Sequence, residues 1–325
     1  MVQVDKMSVI MLLYHIVVTQ LQKKNYLCLR VYIFINRYNG MQKEFLVVGR
    51  SNGTTRQGSP YVMLKVADAE QTFTISVWDV APDMPPVPGQ LVRFNQIKDF
   101  GGKKSCSFSD MILGLIADDQ HPLYGLIPRP IVRQVWDKTI EQLVSYCSDE
   151  NLVPIIQDFA DKLYKPYSEY PAATTVHHAY QGGLLNHTHQ MLHMLEGLYP
   201  CLPYQIKVER CILAILFHDY GKVYEYNRQG DTQSDMYLLG HIYIGAHKLQ
   251  NVLEQHDVAP EEVKRIIHCV LAHHGQREYG SPVLPCLQEA AIVTYLDNIS
   301  AKVDAMETTP EGEYVPALGT HVQKG

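Results

Sequence analysis

The sequence predicts an α+β protein of two unlike domains, a small five-stranded β-barrel followed by an all-helical domain. Three observations carry that expectation. The chain has 325 residues, more than the ~100–200 of one typical domain. Period-2 alternation of apolar residues runs through 41–118 and gives way to helical periodicity after 130. Charge divides at the same place: 41–118 carries eight basic and eight acidic residues, whereas 119–325 carries 15 basic against 25 acidic. At 46% hydrophobic and 19% charged residues, the composition excludes wholesale disorder, collagen and coiled coil. A net charge of −6 argues against a basic, duplex-wrapping protein.

Residues 1–40 differ from the rest. Apolar runs (Val9–Val18, Tyr26–Ile35) are mixed with five basic residues and one acidic residue, without turn chemistry. They read as a poorly ordered extension before a natural start at Met41, in preference to a membrane-surface or partner-binding arm. No run reaches the ~18 apolar residues that a membrane span requires, so no membrane partner is expected. The seven cysteines are scattered without a C-x-x-C pair, which reads as reduced thiols in a cytoplasmic protein.

Five strands are expected in 41–118: Phe45–Val48, Pro60–Val66, Thr72–Trp78, Gln90–Ile97 and Ser105–Ile112. Turn signals separate them at Asn52-Gly53, Gly58-Ser59-Pro60, Asp68-Ala69-Glu70, Pro85–Gly89 and Gly101-Gly102. Five short strands in this length suit an OB-like nucleic-acid-binding barrel. Alternation sends Val62, Leu64 and Val66, with Phe73, Ile75 and Val77, to the interior. The opposite faces then show Tyr61, Lys65, Thr74 and Trp78, with Arg93 on the fourth strand and Lys103-Lys104 at the last hairpin. Aromatics among cations suit a single strand, by base stacking and phosphate neutralisation. The bland alternative is a Trp78 that closes the barrel and lysines that are merely solvated.

Residues 119–130, with Pro128 and Pro130 flanking Arg129, read as the linker. Helical periodicity then covers 131–148, 151–164, 184–198, 204–219, 240–255, 260–272 and 286–305, and 306–325 reads as a polar tail. The helix before His218-Asp219 buries Val208, Cys211, Ile212 and Ile215, and Gly221 is expected to stop it. A carboxylate at the inner end of such a helix is costly unless paired or bound to a cation. Asp297, among Val293, Leu296 and Ser300, repeats the situation. Fourteen of the 15 histidines follow residue 118, and imidazole with carboxylate suits first-row divalent metals. Singly, each residue has a plain reading: His187 as a hydrogen-bonded core residue, His273-His274 as a helix C-cap pair, Asp297 as a partner of Lys302 or Arg265.

Together, the order His187, His218-Asp219, Asp297 resembles the HD-domain metal-dependent phosphohydrolases. The longer series is more specific: His177-His178-Ala179-Tyr180, Gly182-Gly183-Leu184-Leu185 before His187, His218-Asp219 with Gly221-Lys222, Gly240-His241-Ile242, His273-His274-Gly275 and Gly280-Ser281-Pro282-Val283. After an OB-like domain, it resembles the YhaM-type 3′→5′ exoribonucleases from about Met41 to Tyr314. Residues 1–40 have no place in that pattern, and the tail after Asp304 is shorter than is usual there.

The resemblance implies an HD domain over 131–305 with two divalent ions, Mn2+ first, with Fe, Co or another first-row metal as alternatives. His187, His218, Asp219 and Asp297 would hold one ion. Asp219 would bridge to a second, held by His241, His273 and His274. Such a pair clamps a phosphodiester and brings the pKa of a bound water to roughly 7. Lys222, acting with Asp219, would meet a phosphate oxygen as charge develops. His189 and His193 point to another face and are read as non-ligands.

The implied activity is removal of mononucleotides from the 3′ end of single-stranded RNA, or of DNA, by a chain whose state as monomer or homo-oligomer the sequence leaves open. An HD phosphohydrolase for small or cyclic nucleotides is the alternative enzyme. A single-strand binder with a decayed site is the non-enzymatic one, and the complete ligand set argues against it.

Overall fold

The computed structural model describes residues 43–323 apart from 56, 81–85, 118–119, 127, 174–176, 203–204, 229–230, 310, 313 and 316–317. The expected extension 1–40 therefore lies outside the described residues. The chain divides into two compact units, 1–127 and 128–325.

Among the described residues the first unit contains seven strands where five were expected: β1 (Glu44–Thr54), β2 (Pro60–Ala67), β3 (Thr72–Trp78), β4 (Gln90–Phe94), β5 (Lys98–Phe100), β6 (Lys103–Ser107) and β7 (Met111–Ile116). They form one mixed sheet in the order β5-β6-β3-β2-β1-β4-β7. All pairs are antiparallel except β3 with β6. A closed five-stranded barrel is therefore not the observed arrangement. The expected fourth strand ends at Phe94 and the expected fifth is divided. The Asn95 amide follows the β4–β7 register to the Asp110 carbonyl at 2.7 Å, at the end of a 3-10 turn that interrupts the partner run. The Asp99 carboxylate takes the Gly102 amide at 2.9 Å and closes a separate β5–β6 hairpin. A 3-10 turn at Phe108–Asp110 divides the last run.

The alternation of β2 and β3 is as the sequence predicts. Val62, Leu64, Val66, Phe73, Ile75 and Val77 are buried in one cluster with Phe45, Val47, Val92 and Phe94. A register shift between Val47 and Gly49 accompanies a second apolar cluster, which joins Leu46, Val48 and Leu91 to Leu123. Leu123 sits on a 3-10 turn, Pro122–Leu126, and is fully buried. Part of the expected linker 119–130 thus belongs to the first unit, because one leucine anchors it to the sheet.

The second unit is helical. It contains α1 (Arg133–Val144), α2 (Val153–Tyr167), α3 (Gly183–Leu198), α4 (Val208–Phe217), α5 (Lys222–Glu225), α6 (Asp235–Leu238), α7 (His241–Gln255), α8 (Pro260–Leu271) and α9 (Gln288–Thr308). The seven expected helices match α1–α4 and α7–α9 within a few residues. The two single-turn helices are too short to show a period.

Helix α4 is buried along its whole length and forms the centre against which α2, α8 and α9 pack. Its two charged residues are satisfied internally. Glu209 accepts from the Ser148 hydroxyl at 2.8 Å, and Arg210 forks onto Glu262 at 2.6 and 2.7 Å. Beyond α9 the expected polar tail instead forms a two-stranded hairpin, β8 (Tyr314–Val315) with β9 (Thr320–His321). Val315 and Val322 bury against Ala305, two apolar side chains that the tail's polar composition concealed.

Candidate metal centre

The candidate ligands come from four of the helical unit's segments: His187 from α3, His218 and Asp219 from the end of α4, His241 from the first turn of α7, and His273 and His274 from the residues just after α8. Asp297 adds a fifth, from the middle of α9. They gather as two groups whose ligand atoms all lie within 4.8 Å of one another: His187, His218 and Asp297, and His241, His273 and His274. Asp219 stands between them. Its Oδ2 is 3.3 Å from His218 Nε2 and 3.7 Å from His187 Nε2, while its Oδ1 is 3.7 Å from His241 Nε2.

Each ring is oriented through its other nitrogen. Nδ1 of His218 donates to the Ile215 carbonyl at 2.8 Å, that of His273 to the Val270 carbonyl at 2.6 Å, and that of His274 to the Tyr279 carbonyl at 2.6 Å. Nδ1 of His187 lies 2.8 Å from Ser300 Oγ. That hydroxyl donates onward to Gln190 Oε1 and so accepts from the histidine. Nδ1 of His241 faces both oxygens of Glu225 at 3.2 Å. With all five Nδ1 protons committed, five Nε2 lone pairs point inward. His187 and His218 confront each other Nε2 to Nε2 at 3.1 Å, His241 and His274 at 3.4 Å, and Nε2 of His273 is buried with no hydrogen-bond partner among the described residues. Facing lone pairs in a buried site call for a cation, and an imidazole locked through its far nitrogen is how proteins present a metal ligand. The residues present fit a pair of divalent ions.

The charges of the site sustain one another: burial works against the charge on His218, but Asp219 outweighs it and raises its pKa. Burial alone would push the Asp219 carboxyl up, but Lys222 and His218 outweigh it and hold it well below the usual carboxylate range. Burial likewise disfavours the charge on Lys222, yet Asp219, 2.7 Å from its Nζ, keeps the ammonium protonated. Asp297 is also depressed against its burial, chiefly by His187 at 3.2 Å. Burial, then His274, keeps His273 neutral. Burial, then His241, does the same for His274.

Asp297 therefore faces His187, whereas Arg265 lies 3.9 Å from Glu262. Gly221 does not stop α4 by a left-handed turn, since its φ is −63°. A Cβ there would lie 2.3 Å from the His241 Cα, so the glycine lets two ligand-bearing segments touch. His189 hydrogen-bonds Thr139 at 3.2 Å and His193 pairs with Glu196 at 2.9 Å, both outside the groups. His177 lies near His187 with ring centroids 5.6 Å apart, and burial takes its pKa down to about 3. Sequence reasoning missed Glu225, Ser300 and Gln190, which carry no metal-ligand signature of their own.

The expected strand-binding residues do not form one set. Tyr61 and Trp78 are cross-strand partners with ring centroids 4.8 Å apart. Tyr61 lies so close over Gly53 that any side chain there would collide with its ring. Lys65 pairs with Thr74 on the same face, and Lys103 is exposed at the hairpin. Arg93 is neutralised by Glu44 at 2.9 Å. Lys104 pairs with Ile75 and so shares the core-side parity. Its ammonium lies 5.4 Å from the centre of the Phe73 ring and 3.5 Å from Asp99.

Comparison with known proteins agrees with this geometry. The HD domain family matches residues 184–302, the span from α3 to α9 that carries every candidate ligand. The chain is 30% identical to the 3′-5′ exoribonuclease YhaM of Halalkalibacterium halodurans, over 83% of its own length and 86% of that protein. It belongs to the YhaM family. It is also 28% identical to YhaM of a Geobacillus species over 84% of this chain and 87% of that one, and 27% identical to YhaM of Bacillus subtilis over 83% and 88%. No solved structure matches. Among the described residues, no helix of this YhaM-family chain is long and apolar enough to cross a membrane.

Proposed function

We infer that this protein is a metal-dependent 3′→5′ exoribonuclease that hydrolyses single-stranded RNA, with single-stranded DNA as a second substrate. The observation that carries the reading is the gathering of five histidine Nε2 atoms in two groups, with the buried carboxylate of Asp219 within 3.7 Å of His187, His218 and His241, in a chain of the YhaM family. His187, His218 and Asp297 would hold one divalent ion, His241, His273 and His274 the other, and Asp219 would serve both. Mn2+ suits this mixture of imidazole and carboxylate, as do Fe and Co. When bound, such ions neutralise phosphodiester charge and make a water acidic enough to attack near neutral pH.

The chain's own residues then have distinct tasks. Asp219 keeps Lys222 charged, and Lys222 presents that charge to a phosphate oxygen. Neutral His177 closes the side of the site next to His187. The mixed sheet acts as an OB-type module whose Tyr61–Trp78 face, with Lys65 and Lys103, takes successive bases and phosphates. A cytoplasmic location suits both the substrate and the thiols, which are free among the described residues.

A 5′-labelled oligoribonucleotide incubated with Mn2+ tests the reading. A ladder shortening from the 3′ end is expected. Failure to shorten the oligomer alongside hydrolysis of mononucleotides or cyclic nucleotides would move the assignment to a small-nucleotide phosphohydrolase.

A further inference from the structure

The two ligand groups differ in charge. The His187–His218–Asp297 group contains a carboxylate of its own, whereas the His241–His273–His274 group contains three imidazoles and none. Both share Asp219. A dication among three neutral rings in a buried site is left undercompensated unless another negative charge lies close.

Glu225 lies there. It is 3% exposed, at the end of the short helix that begins at Lys222. Its Oε1 accepts the His241 backbone amide at 2.5 Å, and both oxygens face His241 Nδ1 at 3.2 Å. Both contacts come from donors, and the carboxylate oxygens accept them. The other four histidines are oriented by neutral oxygens: three carbonyls and the Ser300 hydroxyl. His241 alone rests on a carboxylate.

We propose that Glu225 is the positioning residue of the three-histidine site. It locks His241 with its proton on Nδ1 and supplies the negative charge that this site lacks, so its loss weakens that site selectively and leaves the His187–His218–Asp297 site loaded. The proposal rests on the two-metal reading above. It goes beyond it by assigning unequal construction to the two sites and naming the residue that makes the difference. A carboxylate behind an imidazole strengthens the ring as a donor, and removing such a partner typically costs 10–100-fold in metal affinity.

The test is a Mn2+ titration of the full chain followed by electron paramagnetic resonance. The wild-type protein should take up two ions and show the spectrum of an exchange-coupled pair. Glu225→Gln keeps the size of the side chain and removes its charge. It should bind one ion with wild-type affinity and the second about 10–100-fold more weakly, showing an isolated Mn2+ signal at one equivalent. His241→Ala should give the same single-ion spectrum. Glu225→Asp, which keeps the charge one methylene back, should recover part of the lost affinity.

Two ions bound by Glu225→Gln as tightly as by wild type overturns the role of Glu225 while leaving the two-metal reading standing. Equal weakening of both ions, or an Asp variant no better than Gln, also overturns it. A wild-type protein that takes up fewer than two ions overturns both readings together.

Discussion

Nε2 of His187 lies 3.1 Å from Nε2 of His218, and in the neutral tautomers that their Nδ1 contacts select, neither ring has a proton to offer the other. Ile215 holds the Nδ1 proton of one ring and Ser300 that of the other. Two lone pairs at that distance repel unless a cation lies between or beside them. The surrounding protein, α3 and α9 on one side and α4 on the other, enforces the approach.

Asp219 reaches toward both ligand groups. Asp219→Ala is expected to lose both metals, measured by elemental analysis. Loss of about 4 kcal/mol of transition-state stabilisation would slow hydrolysis roughly 10³-fold. Undiminished metal in that variant would remove Asp219 from the centre.

Gly221→Ala has no room. The new methyl would sit 2.3 Å from the His241 Cα, a backbone atom at the start of α7 that cannot swing aside as a side chain would. Overpacking of this kind costs about 1–3 kcal/mol. Urea unfolding should show that loss, accompanied by weaker Mn2+ binding, since His241 is the residue displaced. A variant with wild-type stability and metal uptake would contradict the close approach.

On the sheet, Trp78→Ala removes half of the Tyr61–Trp78 aromatic pair. At about 1–3 kcal/mol per stacked base, binding of an oligoribonucleotide should weaken roughly 5- to 150-fold. Hydrolysis of a nitrophenyl nucleotide, which needs only the metal centre, should stay at wild-type level. Lys103→Ala should lower the salt slope by about 0.7. Arg93→Ala should leave that slope nearly unchanged, because Glu44 already neutralises the guanidinium. Fluorescence anisotropy at several salt concentrations distinguishes these outcomes, and equal slopes for the two variants would refute the assignment of faces.

The Arg210–Glu262 fork ties α4 to α8. Arg210 holds the Glu262 carboxyl below its ordinary value of 4.5. A depressed folded-state pKa contributes stability in full above the unfolded value, and that contribution is lost as pH falls through the lower folded one. Thermal stability should therefore decline below about pH 4.5, and Glu262→Gln should flatten that decline while costing about 3 kcal/mol at pH 7. An unchanged acid limb in the variant would show that other carboxylates govern it.

What the sequence by itself determined is what repeats along the chain. The interior face of β2 and β3 follows from alternation, because a side chain's direction there is decided by its immediate neighbours. The long helices follow from a periodic apolar stripe, and the ligand types of the HD domain from motifs that each lie within a few residues.

What only the tertiary structure decided depends on atoms far apart in sequence. Seven described strands replace five because the expected last run divides between two partners, β6 pairing in parallel with β3 and β7 with β4. Lys104 falls on the core-side parity because β6 pairs in parallel with β3, a register that no local pattern encodes. Gly221 reads as a helix stop until His241, 20 positions on, is seen against it. Glu225 has no signature at all, since a glutamate among tyrosines is ordinary. Only the packing that brings α7 against α5 turns its carboxylate toward His241 Nδ1 and leaves Nε2 facing the metal site.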